Sequence, residues 1–324
     1  MKCFTVWGLV LALSLGPLST HAQSSAFPNK PVRIIVPFPA GGSADSLVRV
    51  VSQHLNKRWG QPVLIENKPG AGTNIGSEFV AKAPGDGYTL LLSNSSQVAN
   101  ATMYGKAMPY DLLRDLAPVT MIGMTPVLLV VHPSLPVKTA RDLIALAKAK
   151  PGQLTFASAG IGSPTHIAPE LFRWMAKIDM LHVPYKSEPP AVVDLISGQV
   201  QVMVSSYSTI AGHLKGGRLR ALATALPQRS SLLPDVPTVA EAGLKGYESS
   251  QWYGLFAPLG TPADILNLLN AQLAKIMQSA DIKARLGEEG VVPVGGTREQ
   301  LAAHVKSEIA KWANVIKLSG ARVD

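Results

Sequence analysis

Residues 32–60 read VRIIVPFPAGGSADSLVRVVSQHLNKRWG, and this stretch decides the fold class. Val32 to Val36 is a short apolar run between prolines and reads as a buried strand. Pro37-Phe38-Pro39-Ala40-Gly41-Gly42-Ser43 then forms a tight loop. Leu47, Val48, Val51, Leu55 and Trp59 follow at the spacing of one helix face. A strand that turns through glycines into an amphipathic helix is the repeating unit of an α/β protein.

The same rhythm continues outward from this unit. Val63 to Ile65 and Tyr88 to Leu92 read as strands, with a helix carrying Ile75, Phe79 and Val80 between them. Val127 to Val131 is strongly strand-like, and Thr139 caps a helix bearing Leu143, Ile144 and Ala147. Further strands are expected at Leu154 to Ala157, Leu181 to Val183, Val200 to Val204 and Leu219 to Ala223, with an extended return at Trp252 to Ala257. The remainder is mostly helical: Pro262 to Gln278, a short helix at Ile282 to Leu286, and Arg298 to Leu318. Two βα blocks with a late return predict two open-sheet lobes sharing crossing strands, residues 23–123 with 253–324 and residues 124–252.

The amino terminus has the order of a secretory signal. Lys2 precedes a mainly apolar stretch from Phe4 to Leu15, Gly16-Pro17 breaks it, and Thr20-His21-Ala22 sets small residues at the peptidase positions. Cleavage is expected after Ala22, and export without disulfides points to a periplasm. The single cysteine, Cys3, falls inside this segment, so the mature chain has no disulfide, thiolate ligand or cysteine nucleophile.

Composition removes several function classes. The net charge of +9 favours encounter with anionic ligands. Its Lys and Arg residues are dispersed and accompany no aromatic stacking cluster, so no nucleic-acid partner is expected. The seven histidines show no metal-ligand spacing, and neither glycine loop matches a phosphate loop or a dinucleotide fingerprint. No metal and no cofactor are expected.

In open α/β sheets, ligands bind at the carboxyl ends of strands, where loops enter helices. Two loops qualify. Pro39-Ala40-Gly41-Gly42-Ser43-Ala44-Asp45 offers a close backbone approach and helix-start amides, with Ser43 as a hydroxyl donor and Asp45 as either a ligand contact or a helix cap. Ser158-Ala159-Gly160-Ile161-Gly162-Ser163-Pro164-Thr165-His166 has the same construction, with Ser163 at the cap and Pro164 at the first helical position. Ser163 and His166 could share a helix face and imitate a nucleophile and base. No orienting acid or strained nucleophile turn accompanies them, so an exported hydrolase is the remote alternative and no enzymatic activity is expected.

Eight segments carry a resemblance: VRIIVPFPAGGSAD (32–45), VLIENKPGAGTNIGSEFVAKAPGDGYTLLL (63–92), LTFASAGIGSPTH (154–166), HVPYK (182–186), DLISGQVQVM (194–203), LRALAT (219–224), LLPDVPTVAEAGL (232–244) and WYGLFAPLGTP (252–262). In that order they resemble the Bug-type receptors of tripartite tricarboxylate transporters. The resemblance implies a type II periplasmic-binding-protein fold whose two lobes close on a small carboxylate. It also implies delivery to an integral membrane permease of one large and one small subunit; a sensory receptor on the same fold is the alternative. The monomer is the expected state. The implied ligand-binding residues are Phe38, Ala40, Gly41, Gly42, Ser43 and Asp45 on one side, and Ala159, Gly162, Ser163, Thr165 and His166 on the other. Ser95, Tyr185, Ser205 and Ser206 complete the set.

Two departures from the family pattern bear on the cargo. Ser187-Glu188 stands where the family carries a glycine and a small residue, and Val204-Ser205-Ser206 where it carries Phe-Asp-Asn. An aspartate there suits a ligand ammonium group, whereas serines suit neutral or anionic groups. The expected cargo is therefore a dicarboxylate lacking an amine, aromatic diacids such as terephthalate included.

Overall fold

The computed structural model describes residues 27–161, 163–230 and 232–319, so the expected signal peptide and its cleavage point lie outside the described residues. The chain begins with β1 (Val32–Val36), α1 (Ser43–Trp59), β2 (Val63–Asn67), α2 (Asn74–Ala81), β3 (Thr89–Asn94), α3 (Ser95–Met103) and β4 (Leu116–Thr125). Then come β5 (Val127–Val131), α4 (Ala140–Ala149), β6 (Thr155–Ser158), α5 (Pro164–Ala176), β7 (Leu181–Pro184), α6 (Glu188–Ser197), β8 (Val202–Ser206), α7 (Tyr207–Lys215) and β9 (Arg220–Thr224). It closes with β10 (Gln251–Pro258), α8 (Ala263–Gln278), α9 (Ala280–Glu288), β11 (Val292–Pro293) and α10 (Arg298–Ser319).

Two sheets result, ordered β11-β4-β10-β3-β1-β2 and β7-β6-β8-β5-β9. β1 lies parallel to both β2 and β3, while β10 runs antiparallel between β3 and β4. Only Pro126 separates β4 in the first sheet from β5 in the second. The chain returns to the first sheet as β10. This is the α/β architecture with crossing strands that the sequence predicts.

Burial explains why these segments become these elements. Val32, Ile34, Ile35 and Val36 are fully buried, as befits a central parallel strand covered on both faces. α1 packs on β2 and buries Leu47, Val48, Val51 and Leu55 in the same apolar cluster as Val32, Ile34 and Val36, each aliphatic side chain contributing about 2 kcal/mol relative to exposure. Gly60 ends the helix in the left-handed conformation at φ 62°, returning its amide to the Asn56 carbonyl. A second core joins the sheets: Ile35 and Leu91 of the first, Leu129 and Phe156 of the second, and Trp252, Leu301 and Trp312 form one apolar cluster. α10 packs against α3, β4 and α5, so the last helix ties both sheets together. Among the described residues no helix is long and apolar enough to cross a membrane.

Two elements lie in a stretch to which the sequence reading assigns nothing. β4 contains Pro118 and Gly123, residues that weaken a strand pattern. Its pairing with β10 shifts register at two places, which accommodates the proline. α3 buries Ser95, Gln97 and Asn100 beside Val98 and Ala99, so no apolar stripe marks it. A capping box starts it instead: Asn94 accepts from the Ser96 amide, and Gln97 accepts from the Asn94 amide.

Candidate ligand site

The carboxyl ends of β1 and β3 lie side by side and deliver the first glycine loop and the start of α3 to one edge of the first sheet. Gly41 takes a left-handed φ of 82°, and Gly42 is the extended cap of α1 at φ −83°, ψ 170°. The first turn of a helix leaves its amides without intrahelical acceptors. Here the amides of Ser43, Ala44 and Asp45 make no hydrogen bond within the described residues, and the first helical bond runs from Ser46 to the Gly42 carbonyl. Unpaired donors at the positive end of a helix dipole are suited to an anion.

Side chains around this turn have distinct duties. Asp45 is buried, and its carboxylate accepts from the Gly41 amide at 3.0 Å, Arg49 Nε at 2.8 Å and Asn67 Nδ2 at 3.0 Å. Burial opposes its ionisation, but the bonds from Arg49, Gly41 and Asn67 outweigh it and hold the carboxyl below its usual range. Asp45 thus anchors the loop from the third helical position, where it reaches back past the cap. Asn67 Nδ2 also donates to the Phe38 carbonyl at 3.1 Å, which fixes the loop's other end. Ala40, Gly41 and Gly42 are exposed, and Phe38 and Ser43 are half-buried. The Ser43 hydroxyl meets the Tyr253 hydroxyl at 2.9 Å. Burial pushes the Tyr253 phenol up to about 12, so it is neutral. Beside it, Ser95 is buried and its hydroxyl has no hydrogen-bond partner among the described residues.

The second loop is built differently from the first, although their sequences look alike. The Ala159 amide donates to Thr165 Oγ1 at 2.7 Å, and the Gly160 amide to Ser158 Oγ at 3.1 Å. The Ser163 hydroxyl turns back to the Gly160 carbonyl at 2.7 Å and also meets Thr165 Oγ1 at 3.0 Å. Ser163 does occupy the cap position with Pro164 at the first helical position, as expected, but its side chain makes no cap bond. The donors of Ala159, Gly160 and Ser163 are thus spent within the loop. Gly162 lies outside the described residues.

His166 stacks on His182 at 4.2 Å between ring centroids, and His182 stacks on Phe156 at 4.8 Å. His182 Nε2 sits 2.7 Å from Ser158 Oγ. Burial first, then His182 and Arg173, lower His166 to about 3; burial and Arg173 lower His182 to about 4. An imidazole held that low is a poor general base at neutral pH. Together with the Ser163 hydroxyl bonded to a carbonyl, this speaks against the hydrolase alternative.

The remaining candidates stand on the second sheet. Ser205 and Ser206 are buried at the end of β8, and both meet the carboxyl of Glu188, the first residue of α6. The Tyr185 hydroxyl donates to Asp194 at 2.6 Å. Two polar groups outside the sequence-based set bond to members of it: Glu188, noted only as a departure from the family pattern, and Tyr253.

Residues 47–321 match the tripartite tricarboxylate transporter family receptor. The chain belongs to that family. The receptor is 38% identical to Protein BugT of Bordetella pertussis over 323 residues, covering 99% of this chain and 98% of that one. Among solved structures it resembles R. palustris Rpa4515 with adipate, at TM-score 0.81 and 36% identity over 92% of this chain and all of that one. It also resembles MatC from Rhodopseudomonas palustris with bound malate, at TM-score 0.76 and 33% identity over 90% of this chain and 100% of the other. The two-sheet fold and the receptor family are thereby the ones the sequence predicts.

Proposed function

We propose that this receptor captures a small dicarboxylate lacking an amine between its two sheets and hands it to a membrane permease of one large and one small subunit. Aromatic diacids such as terephthalate fall within that class. The observation that carries the reading is the first turn of α1, whose three amides are unpaired among the described residues and which opens from the same sheet edge as α3, where Ser95 begins. Such a turn holds one carboxylate without any side-chain cation. The adipate and malate bound to the two solved relatives support the ligand class.

Each sheet with its helices acts as a lobe, with boundaries at Pro126 and Gln251, where the crossing strands β4 and β10 end and begin, rather than after residues 123 and 252. Closure of the lobes generates affinity, and catalysis plays no part. The working form is a monomer in the periplasm.

A thermal-shift screen with adipate, malate, terephthalate and glutamate tests this. A ligand at 100 times its Kd stabilises the native state by about 2.7 kcal/mol, which raises the Tm by roughly 5 °C in a chain of this size. At least one amine-free dicarboxylate is expected to reach that shift, and glutamate is not. A screen in which no carboxylate moves the Tm would contradict the proposal.

A further inference from the structure

Glu188 fills the corner that Ser205 and Ser206 would otherwise open to a ligand. Its Oε1 accepts from Ser205 Oγ at 2.6 Å and from the Ser206 amide at 3.1 Å, with Ser206 Oγ at 3.4 Å. Its Oε2 has the long 3.4 Å contact from the same Ser206 hydroxyl, and the Thr209 hydroxyl also lies within reach of the carboxyl. Among the described residues no Lys, Arg or His is ion-paired with it. The elements around it offer little compensating charge. β6 and β8 carry no titratable residue, and α7 brings Tyr207 in its first turn and His213 and Lys215 only in its last. On α6 itself Asp194 is tied to Tyr185, and Lys186 precedes the helix on an exposed turn. Ser206, which bonds this carboxyl, pairs with Val127, one residue past the Pro126 crossover, so the carboxyl stands close to where the two sheets meet.

A buried carboxyl without a counter-cation keeps its proton rather than its charge. Burial is the largest influence on Glu188 and pushes it upward, against the bonds from Ser205, Ser206 and Thr209. We propose that Glu188 is the specificity-determining residue of the site, an acid whose Oε2 hydroxyl donates to the second carboxylate of a dicarboxylate held by its first on α1. This rests on the reading of the site as a carboxylate receptor. It also restores an argument against an amine-bearing cargo on new ground. The serines are taken, and the acid that takes them is neutral; a neutral donor selects a carboxylate, whereas an ionised one would select an ammonium group.

The test is calorimetric titration of wild type and Glu188→Gln with adipate and glutamate between about pH 6.5 and 9, where both carboxyls of a simple diacid are ionised. The sign follows from the proton. The acid form binds, so affinity is lost as pH rises through the pKa of Glu188, by up to about tenfold per unit. Wild type is expected to bind adipate more weakly as pH rises across this range. Glu188→Gln, which mimics the acid form, is expected to bind within about threefold of the wild-type low-pH value and to stay flat with pH. A pH-independent wild-type affinity would overturn the proposal without any variant. So would tight wild-type binding of glutamate that Glu188→Gln abolishes, which would make Glu188 an anionic partner for an ammonium group. Absence of carboxylate binding by either protein at every pH would overturn the receptor reading and this inference together.

Discussion

Ser43→Pro should weaken dicarboxylate binding by at least about 100-fold while lowering the Tm no further than Ser43→Ala does. Proline deletes the Ser43 amide and hydroxyl, both of which face the anion in the proposed site. A hydrogen bond to a charged group is worth about 1.5–3 kcal/mol, and each 1.4 kcal/mol is tenfold in affinity. The backbone is already suited to the change. Ser43 is the first helical residue, where proline fits best, and Gly42 before it has the extended ψ of 170° that proline demands of its predecessor. Both substitutions remove the Ser43 hydroxyl from the buried Tyr253 hydroxyl, at a similar cost of about 1 kcal/mol in stability. They differ in the amide hydrogen and in the ring carbons that replace it, so the comparison reports whether the ligand uses that position. Ser43→Ala should lose no more than about tenfold in affinity. Wild-type affinity in the folded proline variant would remove α1 from the site.

Trp252→Ala carries the largest expected cost to the fold, about 3–5 kcal/mol. Trp252 is fully buried in β10, the strand that returns from the second sheet to the centre of the first. It meets His304 of α10 edge-on at 5.2 Å between ring centroids. It also belongs to the apolar cluster shared by both sheets, with Phe256, Leu301 and Trp312. Truncation leaves a cavity at the junction that β10 and α10 jointly close. Urea denaturation should show a much lower midpoint with an unchanged slope. A loss below about 1 kcal/mol would show that this junction is not a cooperative core.

The parts of the molecule that were legible in the sequence share one property: a single local rule decides them. β1, its glycine turn and α1 announce themselves through an apolar run, a breaker and a helical period, and the structure bounds β1 at Val32 and Val36 as expected. β4 was not legible because Pro118 and Gly123 break its pattern, and its pairing with β10 absorbs them only through tertiary contact. α3 escaped for the opposite reason, since its buried face is polar and its signal lies in the cap at Asn94.

The site divides the same way. That α1 begins in a free helix turn follows from the glycines and the helical period. That the second loop bonds internally does not, because it depends on Thr165 and Ser158 folding back onto the amides of Ala159 and Gly160. Glu188 and Ser205-Ser206 lie far apart in the chain, and both departures from the family pattern were visible. Their union in one hydrogen-bonded corner requires α6 to pack across the end of β8.

The central claim is that α1 holds one carboxylate on backbone amides. Its most direct test is a crystal structure of the receptor grown with the dicarboxylate that stabilises it most. The account predicts carboxylate oxygens within about 2.7–3.2 Å of the Ser43 and Ala44 amides, and the second carboxyl directed toward Glu188. A ligand held elsewhere, or one whose carboxylates rest on lysine or arginine side chains while those amides bind only water, would contradict it.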